Sequence, residues 1–212
     1  TDFAAKNEVF LNFMNEIGGF ALVVDNINIS LESFLKLSFR NKIISEYFTD
    51  IITKIGENII LSQLIIVPNN DGCMISTYIH NAYKKNIGKI GVLVSLKTTK
   101  PKNELVELGK QLSMHIAALS PLALDKEDLD RTILNKEKEI ISEELKNNGK
   151  DSKIIAKITE GKLNKFINDN TLLNQEWIIE PKKKVKEVLK EAGGKDKIEV
   201  KKFIRFKVGE GV

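Results

Sequence analysis

Residues 58–96 read NIILSQLIIVPNNDGCMISTYIHNAYKKNIGKIGVLVSL. Three runs in it, 58–67, 73–79 and 90–96, are rich in Ile, Val and Leu, and Pro68-Asn69-Asn70-Asp71-Gly72 between the first two is turn chemistry. The pattern predicts three strands. Runs this apolar belong to a sheet covered by helices rather than to an open sandwich. A cover is at hand, because Leu105, Leu108, Leu112 and Ile116 recur at helical spacing within 103–119. The fold class is therefore α+β.

Working outward, Val9, Phe10, Phe13, Met14 and Ile17 predict a helix that Gly18-Gly19 should stop. Asp2 sits just ahead of it or in its first turn, where a carboxylate can cap free N–H groups. After an irregular stretch, Ile44, Tyr47, Phe48, Ile51, Ile52 and Ile55 make one stripe of a helix over about 41–55, with Gly56 as its left-handed cap. Beyond residue 126 a thin seam (Leu129, Ile133, Ile140, Leu145) runs through a strongly charged helix. The turn 147–152 breaks it, with Asp151 or Ser152 as the next cap, and Ile154, Ile155, Ile158, Leu163 and Phe166 resume the spacing. That predicts an antiparallel helical hairpin projecting into water, each arm about 25–30 Å long. Pro181 is expected to start a lysine-rich helix that Gly193-Gly194 ends, and 198–208 is a final strand bulged at Lys201-Lys202. The expected division is 1–72 as a first subdomain, 73–123 and 171–212 as the two parts of a second, and 124–170 as the inserted hairpin.

The composition removes several function classes. A single cysteine, Cys73, excludes an internal disulfide and a cysteine-cluster zinc site, and two histidines make a histidine-rich metal centre unexpected. No apolar run is long enough to span a bilayer and no secretion signal opens the sequence, so a reducing compartment, most simply the cytoplasm, is expected. A start at Thr1 rather than Met reads as a fragment or a processed product. Glycine-rich phosphate loops, nucleophile elbows and H-E-x-x-H strings are absent. His115, in an apolar helix, reads as a hydrogen-bonded packing residue; His80, after a strand, reads by composition as a surface residue.

Charge is distributed unevenly. Residues 1–120 hold 23 charged side chains, whereas 121–212 hold 39. Over 182–207 there are 11 Lys/Arg against four acidic residues, a stripe that either coats a solvated face or binds phosphate backbone. No aromatic–glycine RNA motif accompanies it, which favours the solvated face. The hairpin could equally be a dimerisation arm, a lever for a partner, or inert.

Specific strings carry more than composition. Thr1-Asp2-Phe3-Ala4-Ala5-Lys6, Lys54-Ile55-Gly56-Glu57-Asn58-Ile59, Tyr78-Ile79-His80, Ile90-Gly91-Val92-Leu93-Val94, Met114-His115-Ile116-Ala117-Ala118, Glu160-Gly161-Lys162 and Phe203-Ile204-Arg205-Phe206-Lys207-Val208-Gly209-Glu210-Gly211 occur in this order from the first residue nearly to the last. Together they resemble the elongation factor Ts family, the nucleotide-exchange factors of bacterial-type translation.

The resemblance implies two α+β subdomains with antiparallel sheets and a helical hairpin inserted in the second. It also implies that an N-terminal three-helix module and a strand ahead of Thr1-Asp2-Phe3 are missing, leaving an unpaired edge in the first subdomain. Exchange in this family proceeds by binding elongation factor Tu and distorting its nucleotide site, with no enzyme chemistry and no cofactor or metal of the factor's own. Asp2 and Phe3 would sit at the centre of that contact, Ile55 and Gly56 would extend it, and His80 would press on the partner's phosphate-binding region. From the residues alone, Asp2 is a cap, Phe3 a core residue and Ile55-Gly56 a helix end. Departures are Ala4, where the family often has valine, and residues 81–89, longer than its usual glycine-rich turn. The implied setting is the bacterial cytoplasm or an organellar matrix, without nucleic acid or membrane as a partner. A homodimer through the hairpin, a basic RNA-binding protein and a truncated GTPase-binding module without exchange activity are the alternatives.

Overall fold

Side-chain caps start the first helices. The Thr1 hydroxyl accepts from Ala4 N at 3.4 Å to open α1 (Asp2–Ala5), and Asn7 Oδ1 accepts from Val9 N at 2.8 Å to open α2 (Glu8–Ala21). The structure, a computed structural model, describes residues 1–69, 72–147 and 152–210. Contrary to expectation, α2 runs through Gly18-Gly19 to Ala21. Each helical glycine costs about 1 kcal/mol against alanine. Packing beyond them offsets this: the Phe20 ring lies 5.0 Å from Phe39 and 6.1 Å from Phe34, an aromatic burial of about 2 kcal/mol.

The stretch read as irregular holds three short elements, α3 (Leu31–Leu35), β1 (Ser38–Phe39) and β2 (Lys42–Ile43). β1 and β2 pair antiparallel, Ser38 opposite Ile43, around Arg40 and Asn41 at positive φ. α4 (Ile44–Ile55) follows and ends on Gly56 at φ +76°, the left-handed cap read from the sequence. Its buried face (Ile44, Phe48, Ile51) packs with Phe13, Ile17 and Phe34, and the Phe13 and Phe48 rings meet edge-to-face at 4.8 Å.

The strand expected over 58–67 does not form. The segment is extended and Ile59, Leu61 and Leu64 pack against the same core while Ile60 and Ile65 face water, yet it carries no strand pairing among the described residues. An apolar run supplies side chains for a strand, but a strand also needs a neighbour for its backbone.

The second antiparallel sheet is β3 (Cys73–Lys84), β4 (Ile87–Lys97) and β5 (Glu199–Lys207), in that order across the sheet. β3 and β4 run well past the expected ends and meet in a tight turn at Lys85-Asn86, with Asn86 at φ +64°. His80 therefore lies inside a strand, not ahead of a loop. Asn81 at φ +50° marks a bulge beside it. Opposite the bulge only glycine fits: a Cβ on Gly88 would lie 2.4 Å from Ile79 Cγ2 and 2.9 Å from the His80 carbonyl oxygen.

α5 (Val106–Leu119) buries Leu112, Ser113, His115 and Ile116. α6 (Arg131–Asn147) and α7 (Ser152–Asn170) pack along each other: Leu129, Leu134, Leu163, Phe166 and Ile167 form one apolar cluster, and Lys162 Nζ reaches Glu144 Oε2 at 2.8 Å. Of the turn expected over 147–152, with Asp151 or Ser152 as its cap, residues 148–151 lie outside the described residues, 147 ends α6 and 152 begins α7. Pro181 opens a turn, not a helix; α8 (Val185–Gly193) begins four residues later, where Lys184 N donates to Glu187 Oε2 at 2.8 Å. Two compact units result, one of Thr1–Asp71 with Ile79–Gly91 and Phe206–Val212, the other of Gly72–Tyr78 with Val92–Arg205. The fold class is α+β, as the sequence predicts.

Candidate functional site

All five residues singled out by the sequence, Asp2, Phe3, Ile55, Gly56 and His80, fall in the first unit. Phe3 is the most telling. It is 75% exposed, whereas Phe13, Phe34 and Phe48 of the same unit are buried. The expectation from residue type alone, that Phe3 joins the core, is therefore wrong. Ala4 takes the inward position of α1 and turns its neighbour out.

The α1 turn is tied to two other elements. Thr1 N donates to Glu57 Oε2 at 2.9 Å and the Thr1 hydroxyl donates to Glu57 Oε1. Glu57 follows Gly56 directly, so this pair brings Asp2-Phe3 beside Ile55-Gly56. Ile55 is half-buried against the core, and Gly56 N donates to Ile52 O at 2.8 Å. On another side, Asp2 Oδ1 lies 2.9 Å from Lys89 Nζ. Lys89 holds the Asp2 carboxyl below the usual carboxylate range, and Asp2 in turn raises the Lys89 ammonium. The Thr1 hydroxyl is the chief cause that lowers Glu57. The pairs are exposed, so they orient more than they stabilise.

His80 is exposed on β3. It joins the group through backbone: its carbonyl faces Gly88, next to Lys89, and the Lys89 carbonyl accepts from Val208 N at 3.0 Å. Sequence reasoning named neither Glu57 nor Lys89 as a site residue. Glu57 lies within the string Lys54–Ile59, while Lys89 is one of three lysines in the stretch 81–89. Pairing with Asp2 is a tertiary fact that no local spacing encodes.

Elsewhere the chemistry is structural. His115 is buried and stacked on Trp177 with ring centroids 5.1 Å apart; its Nε2 meets Gln175 Oε1 at 3.0 Å and its Nδ1 accepts from Ile178 N at 3.3 Å. Among the described residues no group of three or more His, Cys, Asp or Glu could hold a metal, and no helix is long and apolar enough to cross a membrane. The lysine stripe is partly self-neutralised, with Lys183 on Glu180 and Glu191, Lys197 and Lys201 on Glu199, and Lys207 on Glu210.

Phe3 is thus an exposed aromatic on a turn tied to two other elements. The family model described as Elongation factor TS matches residues 1–210. The chain belongs to the elongation factor Ts family. Elongation factor Ts of Rickettsia peacockii (strain Rustic) is 38% identical over 215 residues, covering all of this chain and 68% of that protein. The elongation factors Ts of Rhodospirillum centenum (strain ATCC 51521 / SW) and Bartonella henselae (strain ATCC 49882 / DSM 28221 / CCUG 30454 / Houston 1) are 35% and 38% identical, each covering the whole chain and 69% of the relative. Membership makes this a translation elongation factor.

Proposed function

We propose that the chain is a guanine-nucleotide exchange factor that binds elongation factor Tu in its GDP form and promotes GDP release. Phe3 is the apolar wedge, Asp2 pairs with polar groups of the partner beside it, Ile55 and Gly56 extend the contact, and His80 reaches the partner's phosphate-binding region. The observation that carries this reading is the exposure of Phe3 on a turn held at two points. Burying one such ring is worth about 2 kcal/mol, enough to shift a partner's equilibrium by more than tenfold. Linkage makes the effect reciprocal: a factor that weakens nucleotide binding is itself bound more weakly by the nucleotide-loaded partner. Magnesium and nucleotide belong to the partner in this scheme, and 124–170 is an inserted hairpin.

Release of fluorescent mant-GDP from purified elongation factor Tu tests it. The native chain is expected to accelerate release, and Phe3→Ala to lose about tenfold or more of that acceleration. A Phe3→Ala protein as fast as native sinks the wedge. Steeply salt-dependent RNA binding without acceleration would instead point to the lysine stripe.

A further inference from the structure

A four-residue helix cannot hold itself. Nucleating a first turn is unfavourable, and lone helices this short do not persist in water. α1 buries only Ala4, and its largest side chain, Phe3, stands in solvent. Something outside the helix must fix its direction. Among the described residues its side-chain ties to other elements are the Thr1 hydroxyl to Glu57 and Asp2 to Lys89, and both end in the same unit. Glu57 leaves the left-handed cap at Gly56, whose φ of +76° fixes where the chain turns. Lys89 adjoins Gly88, locked by its close approach to Ile79, the His80 carbonyl and Ala82, and its own carbonyl is bonded to Val208 N.

We infer that Lys89 and Glu57 are positioning residues that clamp the α1 turn from two sides and so set the direction in which Phe3 leaves the surface. The inference rests on the exchange reading above and adds to it residues that act through Phe3 and Asp2. Exposed ion pairs contribute little to folding, so losing the clamp leaves the fold in place and lets the turn wander. A turn in the binding-competent direction for only a fraction of the time raises the apparent dissociation constant by the inverse of that fraction. The rate at saturation does not change.

Mant-GDP release from elongation factor Tu is measured across factor concentrations for the native chain, Lys89→Met, Lys89→Arg and Glu57→Gln, and for Lys89→Met in an Asp2→Ala/Phe3→Ala background. Lys89→Met and Glu57→Gln are each expected to raise the half-saturating concentration about fivefold at an unchanged plateau, and Lys89→Arg to stay within about twofold of native. In the doubly substituted background Lys89→Met should add nothing, because nothing remains to be positioned. Amide exchange of residues 2–6 should quicken in Lys89→Met. Native half-saturation in Lys89→Met, beside a slow Phe3→Ala, overturns the clamp alone. The same fivefold loss in the doubly substituted background also overturns it, since Lys89 would then touch the partner directly. A native-like Phe3→Ala overturns the parent reading instead.

Discussion

Both ring nitrogens of His115 are committed, and that fixes its state. Gln175 Nε2 donates to Asp169 O at 2.8 Å, so Gln175 Oε1 is left to accept from His115 Nε2–H. Nδ1, accepting from Ile178 N, must then be unprotonated. Burial pushes the imidazolium's pKa below its ordinary value, outweighing the Gln175 bond that raises it. The linkage sign follows. Above about pH 6.5 His115 is neutral both folded and unfolded, and its contribution is fully present. As pH falls from there, the unfolded chain takes the proton first, so stability drops until the folded histidine is protonated too. Thermal melts from pH 8 to 5 should show this slope, and His115→Gln should flatten it, costing about 1–3 kcal/mol near pH 8 and less as pH falls. An equal slope in that variant would assign the titration to another group. Helical context made the packing role of His115 legible in the sequence. The opposite holds for Lys89, whose partner is 87 positions away.

Elements were legible where their signal is local and periodic. The stripe of α4, its glycine cap and the apolar line of α5 need only the helical repeat and so read correctly. β1 and β2 escaped because two residues carry no periodicity and their turn uses Arg40-Asn41 rather than a glycine pair. The segment 58–67 failed for another reason: its apolar side chains find the core, but strand formation is a property of two segments, not one. That difference is measurable. Backbone amides of 59–66 should exchange with solvent faster by orders of magnitude than those of β4, although Ile59, Leu61 and Leu64 are packed on the core. Protection matching β4 would mean that the segment pairs after all.

At the scale of the molecule, charge and function part company. The second half holds most of the charge, yet all the candidate contact residues lie in the first unit. Much of the excess belongs to α6 and α7, whose chain ends meet side by side: Leu122 N donates to Asn170 O at 2.8 Å and Leu172 N to Ala123 O at 2.9 Å. Because entry and exit adjoin, the length between them can change without moving what they join. Excising 136–161 and closing the gap with a short glycine-rich linker keeps the basal cluster of Leu129, Leu134, Leu163, Phe166 and Ile167. The shortened chain should keep its main unfolding transition and accelerate mant-GDP release within about twofold of native. Sedimentation of both forms reads the homodimer alternative, since Ile133 and Ile140, one heptad apart on α6, are exposed. A native chain that sediments as a dimer beside a monomeric shortened one would make the hairpin an assembly arm. Loss of exchange in a shortened chain that still folds would place part of the working surface on the hairpin, against a site confined to the first unit.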